Sequence, residues 1–223
     1  MTDRAIVVFG DVVSSRMAGP ESSAWLRWLR SELDARYAEE RLAPFGFTQG
    51  DELQGVLRTN ADPLEAVLVA ALREDRRPMR WAVAAGEVEP GPGPATERTG
   101  VAFLLARDVI ERQKVTREGL VIVTGEPATD ALLRDIAPVL ARLLAELTVR
   151  QRRIAGCLLV GGKRQADVAA ELNVTRATVS VVANRAWVRE IAQLRRAISG
   201  LVADAVRQPE ARTTGATAGS ASP

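Results

Sequence analysis

The N-terminal half of the chain mixes two hydrophobic patterns: short apolar runs typical of strands, and three-to-four-residue periodicity typical of helices. One pair of short runs flanks Gly50-Asp51, the layout of a tight hairpin with an acidic residue at its tip. The order strand, helix, hairpin, helix, strand, helix, strand predicts an α+β domain with an antiparallel sheet over residues 1–125. Strands are expected at 4–11, within 44–58, at 79–88 and at 120–123, and helices at 22–40, from 63 onward and at 101–112.

The C-terminal half has helical periodicity only. A leucine-rich stretch at 126–147 predicts a connector helix, which Pro138 is expected to kink or divide because proline lacks a backbone donor. An all-α domain is expected over 148–206, and residues 207–223 have the small, polar composition of a disordered tail. The connector carries more leucine than one face needs, and the helix at 187–206 repeats an apolar stripe. Both are candidate dimer seams, and the second helix alternatively packs on the helix-turn-helix.

A helix-turn-helix pattern lies at 165–185 within this all-α part. Asn173 and Val174 separate two short amphipathic stretches, and the Thr175 hydroxyl is placed to cap the second one. A recognition helix needs small and basic side chains facing outward in its first turns, because these turns enter the major groove. The alternative interpretation is an ordinary helical hairpin with a solvated polar face. The residues predicted to contact double-stranded DNA are Lys163, Arg164, Thr175, Arg176, Ala177, Thr178, Ser180 and Arg185.

The distribution of charge favours the DNA-binding interpretation. The whole chain has a net charge of only +2, but residues 148–196 contain ten Lys and Arg against three Asp and Glu. A basic block on a nearly neutral protein is typical of phosphate binding. Residues 147–180 also resemble the C-terminal DNA-reading region of sigma factors. In that pattern the two motif helices follow a Leu-Thr pair, basic residues, an apolar helix and a glycine-containing turn.

Composition excludes several classes of site. The chain has no histidine, which removes imidazole bases and His-ligated zinc, so a metal would need carboxylate ligands and would be Mg²⁺ or Mn²⁺. Its single cysteine, Cys157, excludes a disulfide framework and fits a reducing cytoplasm. The sequence shows neither a signal-peptide layout nor an apolar run long enough to span a membrane. We therefore expect a cytoplasmic protein without a membrane partner.

Four segments of the N-terminal half resemble motifs of class III nucleotidyl cyclases and diguanylate cyclases, in the same order. GDVVSSR at 10–16 is similar to the first metal-binding strand, and GDELQGVL at 50–57 to the GGDEF-type hairpin. RWAVAAGEV at 80–88 and GVAFLLARDVIER at 100–112 are similar to the strand and the helix that follow. Together with the helix-turn-helix, the set resembles the SatD-like proteins. The resemblance implies a ferredoxin-like, cyclase-palm fold for residues 1–125.

A strand end beside a hairpin tip brings carboxylates together. Asp11 and Asp51 are the predicted ligands of a divalent metal that bridges nucleotide phosphates, and the resemblance to diguanylate cyclases adds Glu52. Phosphate oxygens are expected at the backbone N–H groups and polar side chains that precede the first helix. The alternative is that both aspartates only cap turns. The residues predicted to contact phosphate are Val12, Ser14, Ser15 and Arg16.

Two positions depart from the cyclase pattern. Phe47 stands where cyclases carry the lysine that reads the purine, and Phe103 stands where they carry an asparagine ahead of the transition-state arginine, with which Arg107 aligns. Because cyclisation depends on positioning the substrate, turnover is expected to be absent or very weak. The two aromatic residues are instead expected to stack a base or to fill the cleft.

These patterns predict a DNA-binding transcription regulator rather than an enzyme. Its degenerate cyclase-like domain is expected to sense a nucleotide or cyclic dinucleotide, or to mediate formation of a homodimer on a roughly two-fold symmetric site. The alternative function is a metal-dependent nucleotidyl cyclase, or another nucleotide-processing enzyme, with a DNA-binding tail.

Overall fold

The computed structural model describes residues 3–13, 20–48 and 52–207. Among the predicted site residues, Ser14, Ser15, Arg16 and Asp51 lie outside this part of the chain, as does nearly all of the predicted tail. The strands are β1 Asp3–Val12, β2 Arg41–Phe47, β3 Glu52–Leu57, β4 Met79–Val88 and β5 Leu120–Val123. The helices are α1 Pro20–Arg36, α2 Leu64–Ala71, α3 Val101–Thr116, α4 Pro127–Glu146, α5 Val149–Leu159, α6 Gln165–Glu171, α7 Arg176–Arg185 and α8 Val188–Arg207.

The five described strands form one sheet in the order β2-β3-β1-β4-β5. β1 is antiparallel to both β3 and β4, and β2 is antiparallel to β3. This is the βαββαβ arrangement of the ferredoxin-like fold, in which each helix connects two strands that flank a third. β5 extends the sheet in parallel with β4. The predicted α+β fold with a ferredoxin-like antiparallel sheet is therefore confirmed.

Both faces of the sheet are covered, because side chains alternate along each strand. On β1, Ile6 and Val8 belong to the hydrophobic cluster that contains α1 and α2, whereas Val7 and Phe9 belong to the cluster that contains α3. Burial on two faces explains why the β1 sequence is an uninterrupted apolar run rather than an alternating one. The side chain of Asp11 points to the same face as those of Val7 and Phe9, because alternate residues of a strand share a face, and this is the face covered by α3.

The predicted connector is helix α4, which packs in the same layer as α1 and α2 on one face of the sheet. Leu133 and Leu140 of α4 are buried in the cluster that also contains Ile122 of β5 and Ile198 of α8. α4 runs through Pro138 as one helix, so the proline does not divide it, and a kink at this position stays a prediction. Within residues 3–13, 20–48 and 52–207, every helix is too short or too polar to cross a lipid bilayer.

The C-terminal helix is docked rather than free. The apolar side chains of α8, including Ile191 and Val202, are buried in the core, and α8 packs along α4. The interpretation of this stripe as a dimer seam is wrong, because its own chain already covers it. The alternative, that this helix packs on the helix-turn-helix, is correct only in part, because α8 contacts α5 and α7 but has α4 as its main partner.

Ion pairs and hydrogen bonds connect α5 and α8 to α2 and the residues that flank it. The Arg195 guanidinium on α8 binds the carboxylates of Asp62 (2.6 Å) and Glu65. The Arg152 guanidinium on α5 donates to the carbonyls of Arg73 (3.1 Å) and Glu74 (2.9 Å), which follow α2. These contacts join three helices that are far apart in sequence, so the orientation of the helix-turn-helix is coupled to the sheet domain.

Candidate nucleic-acid interface and the predicted nucleotide site

The helix-turn-helix, formed by α6 and α7, belongs to a small three-helix unit together with α5. Thr148 begins α5 as its N-cap and accepts a hydrogen bond from the Gln151 N–H (3.3 Å). The unit has its own apolar core, to which each helix contributes, with Ile154, Val168 and Val179 essentially inaccessible to solvent. This core holds α7 at a defined angle against the rest of the chain.

The turn between α6 and α7 has the predicted chemistry. Asn173 adopts a left-handed conformation with φ of 49°, which asparagine tolerates better than most residues. The Val174 N–H donates to the Ala169 carbonyl (3.0 Å) and closes the turn. Thr175 caps α7 by accepting from the Thr178 N–H (3.1 Å), and the hydroxyls of the two threonines are 2.9 Å apart. Thr175 therefore positions the helix, as predicted from its place before Arg176.

The outer face of α7 is exposed to solvent and carries mostly short side chains. Arg176 and Ala177 are exposed, and Ser180 is half-buried beside them. Val181 and Asn184 lie on the same face and are also exposed. Sequence reasoning missed these two residues, although both follow from Ala177 at the i+4 and i+7 spacing of one helix face. Such small side chains let a helix approach base edges, and Val181 suits contact with a thymine methyl group.

The basic residues predicted to contact phosphate lie at the edges of this face. Lys163 is exposed and forms an ion pair with Glu171, a hydrogen bond that raises the pKa of the lysine. Arg164 is exposed before α6, with its Nε 3.6 Å from the Asp167 carboxylate. Arg185 is exposed at the end of α7. Exposed ion pairs of this kind are worth little, so phosphate oxygens can replace their carboxylate partners.

The acidic end of β1 holds an ion pair. Asp11 is buried opposite Glu52 on β3 and Arg80 on β4, and Arg80 Nη1 lies 2.9 Å from Asp11 Oδ2. Glu52 accepts a hydrogen bond from Gln54 Nε2 (2.7 Å). Lys114 on α3 has a raised pKa, chiefly because of its hydrogen bond with Glu111, with smaller contributions from Asp11 and Glu52. Arg80 therefore balances the charge of Asp11, whereas Glu52 is bound by the neutral amide of Gln54.

This arrangement does not fit a divalent metal in the part of the chain that is described. Among those residues, no three carboxylate, cysteine or histidine side chains converge. Arg80 binds one oxygen of Asp11, a contact that the sequence did not indicate because β1 and β4 pair over a long separation. Asp51 lies outside the described residues, so the convergence of Asp11 and Asp51 stays a prediction.

The two aromatic residues do not share a cleft. Phe103 is buried on the α3 face, where its ring meets Phe9 edge-on at 5.9 Å between centroids. Phe47 packs against the cluster on the opposite face, as does its cross-strand neighbour Leu53. The prediction that both aromatic residues stack a base or fill one cleft is therefore wrong, because strand register and helix placement put the sheet between them.

Of the remaining predicted nucleotide contacts, Val12 and Arg107 lie in the described part of the chain, and they stand on different elements. Val12 is the buried last residue of β1, paired with Met79 on β4, and the next N–H, that of Val13, donates to the Pro78 carbonyl (2.9 Å). Arg107 is exposed on α3. The N–H of Val13, one of the groups expected to receive phosphate, is therefore already used in a backbone hydrogen bond.

The fold and the exposed face of α7 define a helix-turn-helix unit of the DNA-binding class, packed on a ferredoxin-like sheet. Residues 137–211 match the family described as "KORA: TrfB plasmid transcriptional repressor". The matched range begins inside α4 and contains every residue predicted to contact DNA. It supports a DNA-binding regulator and leaves the sheet domain outside the match.

Two solved structures share features with the chain. One is described as "Structure of a bacterial light-regulated adenylyl cyclase", with 13% identity over 55% of this chain and 76% of that chain and a TM-score of 0.42. The other is a regulator of polyketide synthase expression from Bifidobacterium adolescentis, with 14% identity over 93% of this chain and 81% of that chain and a TM-score of 0.26. Comparison with curated proteins gives no significant match. No conclusion about activity follows from likenesses at this level.

Proposed function

We propose that this protein is a transcriptional repressor that reads DNA through α7. The observation that carries the proposal is the exposed, short-chained face of α7, held by the Thr175 cap and the left-handed Asn173 turn. The match of residues 137–211 to the TrfB repressor family supports it, and so does the basic charge of residues 148–196. Repression follows from placing a compact folded body over promoter DNA.

Contacts with bases and with phosphates come from different residues. Arg176, at the first turn of α7, reaches base edges, and Ala177 and Ser180 allow the helix to approach the groove. Lys163 and Arg185 flank this face and bind the backbone, which positions the helix without reading sequence. Thr175 serves mainly as the cap, because its hydroxyl is already engaged with Thr178.

The test is selection of bound duplexes from a random pool, followed by affinity measurements on the enriched sequence at several salt concentrations. Arg176→Ala is expected to weaken binding and relax the choice of base near its contact. Arg207→Ala, an exposed arginine at the far end of α8, is the matched control and should bind as the wild type does. Absence of salt-dependent binding to any duplex would exclude this function.

We propose that the sheet domain is a sensor domain, which binds a small ligand and thereby controls the helix-turn-helix. A cleft of about 220 Å³ lies beside the Asp3 end of β1, lined by Val56, Val88 and Arg98 among others. Arg98 Nε is buried there without a hydrogen-bond partner among the described residues. Arg98 itself lines the cleft, and a guanidinium group suits a phosphate or carboxylate oxygen. This cleft is at the opposite end of β1 from Asp11, so it is distinct from the predicted cyclase-type site.

Thermal shift with nucleoside triphosphates and cyclic dinucleotides tests the sensor role. A ligand should raise the melting temperature of the wild type and of Arg107→Ala, but not of Arg98→Ala. Incubating the wild type with Mg²⁺ or Mn²⁺ and each triphosphate tests the enzyme alternative. Formation of a cyclic or linked dinucleotide, lost in Asp11→Asn, would replace the regulator proposal with a nucleotidyl cyclase.

A further inference from the structure

A second cleft lies where α2, β4 and α4 meet, on the side of the sheet that these helices cover. Its volume is about 130 Å³, and it shares no lining residue with the cleft beside Asp3. An apolar cavity of about 150 Å³ in another protein holds a benzene molecule. The size of this cleft therefore suits a ligand with a single six-membered ring.

Small side chains keep the cleft open. Alanine and glycine residues from α2, from the last two turns of α4 and from the segment before β5 form its walls, namely Ala70, Ala71, Ala141, Ala145 and Gly119. These residues contribute too little volume to fill the space between two helices and a sheet. At Gly119 even a Cβ atom would lie 3.2 Å from Ala141 Cβ, so a larger side chain there would narrow the space further.

The deepest part of the cleft is apolar and includes an aromatic ring. Met79 and Trp81 lie two residues apart on one face of β4, and Leu144 of α4 lines the same space. Trp81 and Leu144 are buried, and Met79 is half-buried. Aromatic rings pack well on one another, and a methionine side chain adapts to the edge of a ring. This part of the cleft therefore favours a flat aromatic group.

The rim of the cleft carries a positive charge that no carboxylate of the described residues contacts. Nη2 of the half-buried Arg76 donates to the neutral carbonyl of Ala145 (2.8 Å), which uses one of the five N–H groups of the guanidinium. Burial lowers the pKa of Arg76, and the charge of Arg152 on α5 lowers it further. An anion beside Arg76 would oppose both effects. Within the described residues no acidic side chain lines the cleft, so none repels such an anion there.

We propose that this cleft binds a small aromatic carboxylate, with its ring against Trp81 and its carboxylate on Arg76. A carboxylate can accept two parallel hydrogen bonds from one guanidinium, which makes this pairing both strong and directional. The occupant contacts α2 and α4 together, and α4 is the helix on which α8 packs. The inference goes beyond the proposed function and does not rest on DNA binding.

Ligand-observed NMR of the full chain compares benzoate with benzamide, which has nearly the same shape but no charge. The wild type is expected to bind benzoate on the order of tenfold more tightly, because hydrogen bonds between charged groups are stronger than those to a neutral amide. Arg76→Gln should reduce the affinity for benzoate to that for benzamide. Ala71→Leu fills the cleft from a half-buried position and should abolish binding of both compounds. Arg112→Gln removes an exposed arginine of α3 and is the matched control, which should bind as the wild type does.

Several results would overturn the site. A wild type that does not bind benzoate, or that binds benzamide equally well, would exclude a carboxylate ligand. Unchanged benzoate affinity in Arg76→Gln, or an equal loss in Arg112→Gln, would exclude Arg76 as its partner. Circular dichroism confirms folding, and a folded Ala71→Leu that still binds would exclude the cleft; if Ala71→Leu does not fold, Arg76→Gln decides. A wild type that binds benzoate but no duplex would refute the repressor and leave the ligand site standing.

Discussion

Replacing Arg195 with leucine should loosen the helix-turn-helix from the sheet domain. The guanidinium binds Asp62 (2.6 Å) and Glu65 on α2 and also donates to the Leu159 carbonyl at the end of α5 (3.3 Å). Leucine keeps much of the aliphatic part of the arginine side chain, so most of the expected loss in the free energy of unfolding is electrostatic. Burial alone would lower the pKa of the Arg195 guanidinium, because it disfavours the charged form. The carboxylates of Asp62 and Glu65 outweigh this effect, so the pKa is raised.

The magnitude follows from the exposure of the three side chains. An exposed ion pair contributes at most about 1 kcal/mol, whereas removing one partner of a fully buried pair costs about 3–5 kcal/mol. The Arg195 side chain is 21% exposed, and those of Asp62 and Glu65 are 30% and 20% exposed. We therefore expect a loss of about 2 kcal/mol, which for a chain of this size lowers the melting temperature by about 4–8 °C.

Urea denaturation of the full chain measures this loss, with Arg196→Leu as the control because Arg196 is the exposed neighbour on the same helix. Combining Arg195→Leu with Glu65→Gln in a double-mutant cycle isolates their coupling, which should be positive since the two side chains are in contact. If Arg195→Leu and Arg196→Leu lie within about 0.5 kcal/mol of each other, the contact does not hold the two regions together.

The remaining predictions concern DNA and a buried phenol. Arg176→Ala should cost about 1–3 kcal/mol on the selected duplex and relax its sequence preference, measured by fluorescence anisotropy against single-base variants. Lys163→Ala should weaken binding to all duplexes alike and reduce the slope of log affinity against log salt by about 1, and an unchanged slope would remove it from the phosphate contacts. Tyr37→Phe should cost about 1–2 kcal/mol in urea, because the hydroxyl donates to the Asp62 carbonyl (2.6 Å) and accepts from the Ala66 N–H (3.0 Å). Burial raises the pKa of Tyr37 well above its ordinary value of 10, so the folded state favours the neutral phenol and loses stability as the pH rises above 10. Since Tyr37 is the one tyrosine in the sequence, ultraviolet absorbance follows its ionisation directly, and a midpoint near 10 in the folded protein would contradict its burial.

Local chemistry made the helix-turn-helix predictable. The cap at Thr175, the turn at Asn173 and the cap at Thr148 depend on residues within a few positions of each other, so the sequence carries the whole cause. The order of the elements also predicted an α+β domain with an antiparallel sheet, whereas its ferredoxin-like topology was implied by the resemblance to cyclases. One of two local alternatives is excluded, since α4 continues through Pro138 despite the missing donor and is not divided there. Packing of α4 on β5 and α8 compensates for that loss.

Contacts between distant segments were decided only by the tertiary structure. The apolar stripe of α8 shows that this helix must be covered, but the same pattern suits a second copy, the helix-turn-helix or the sheet layer. Only packing against α4 and the Arg195 contacts with α2 choose among them. In the same way, Phe47 and Phe103 were aligned by motif, yet strand pleating and register put them on opposite faces. Periodicity states which side of an element is buried, whereas the identity of the partner is a property of the folded chain, because it depends on pairings across long sequence separations.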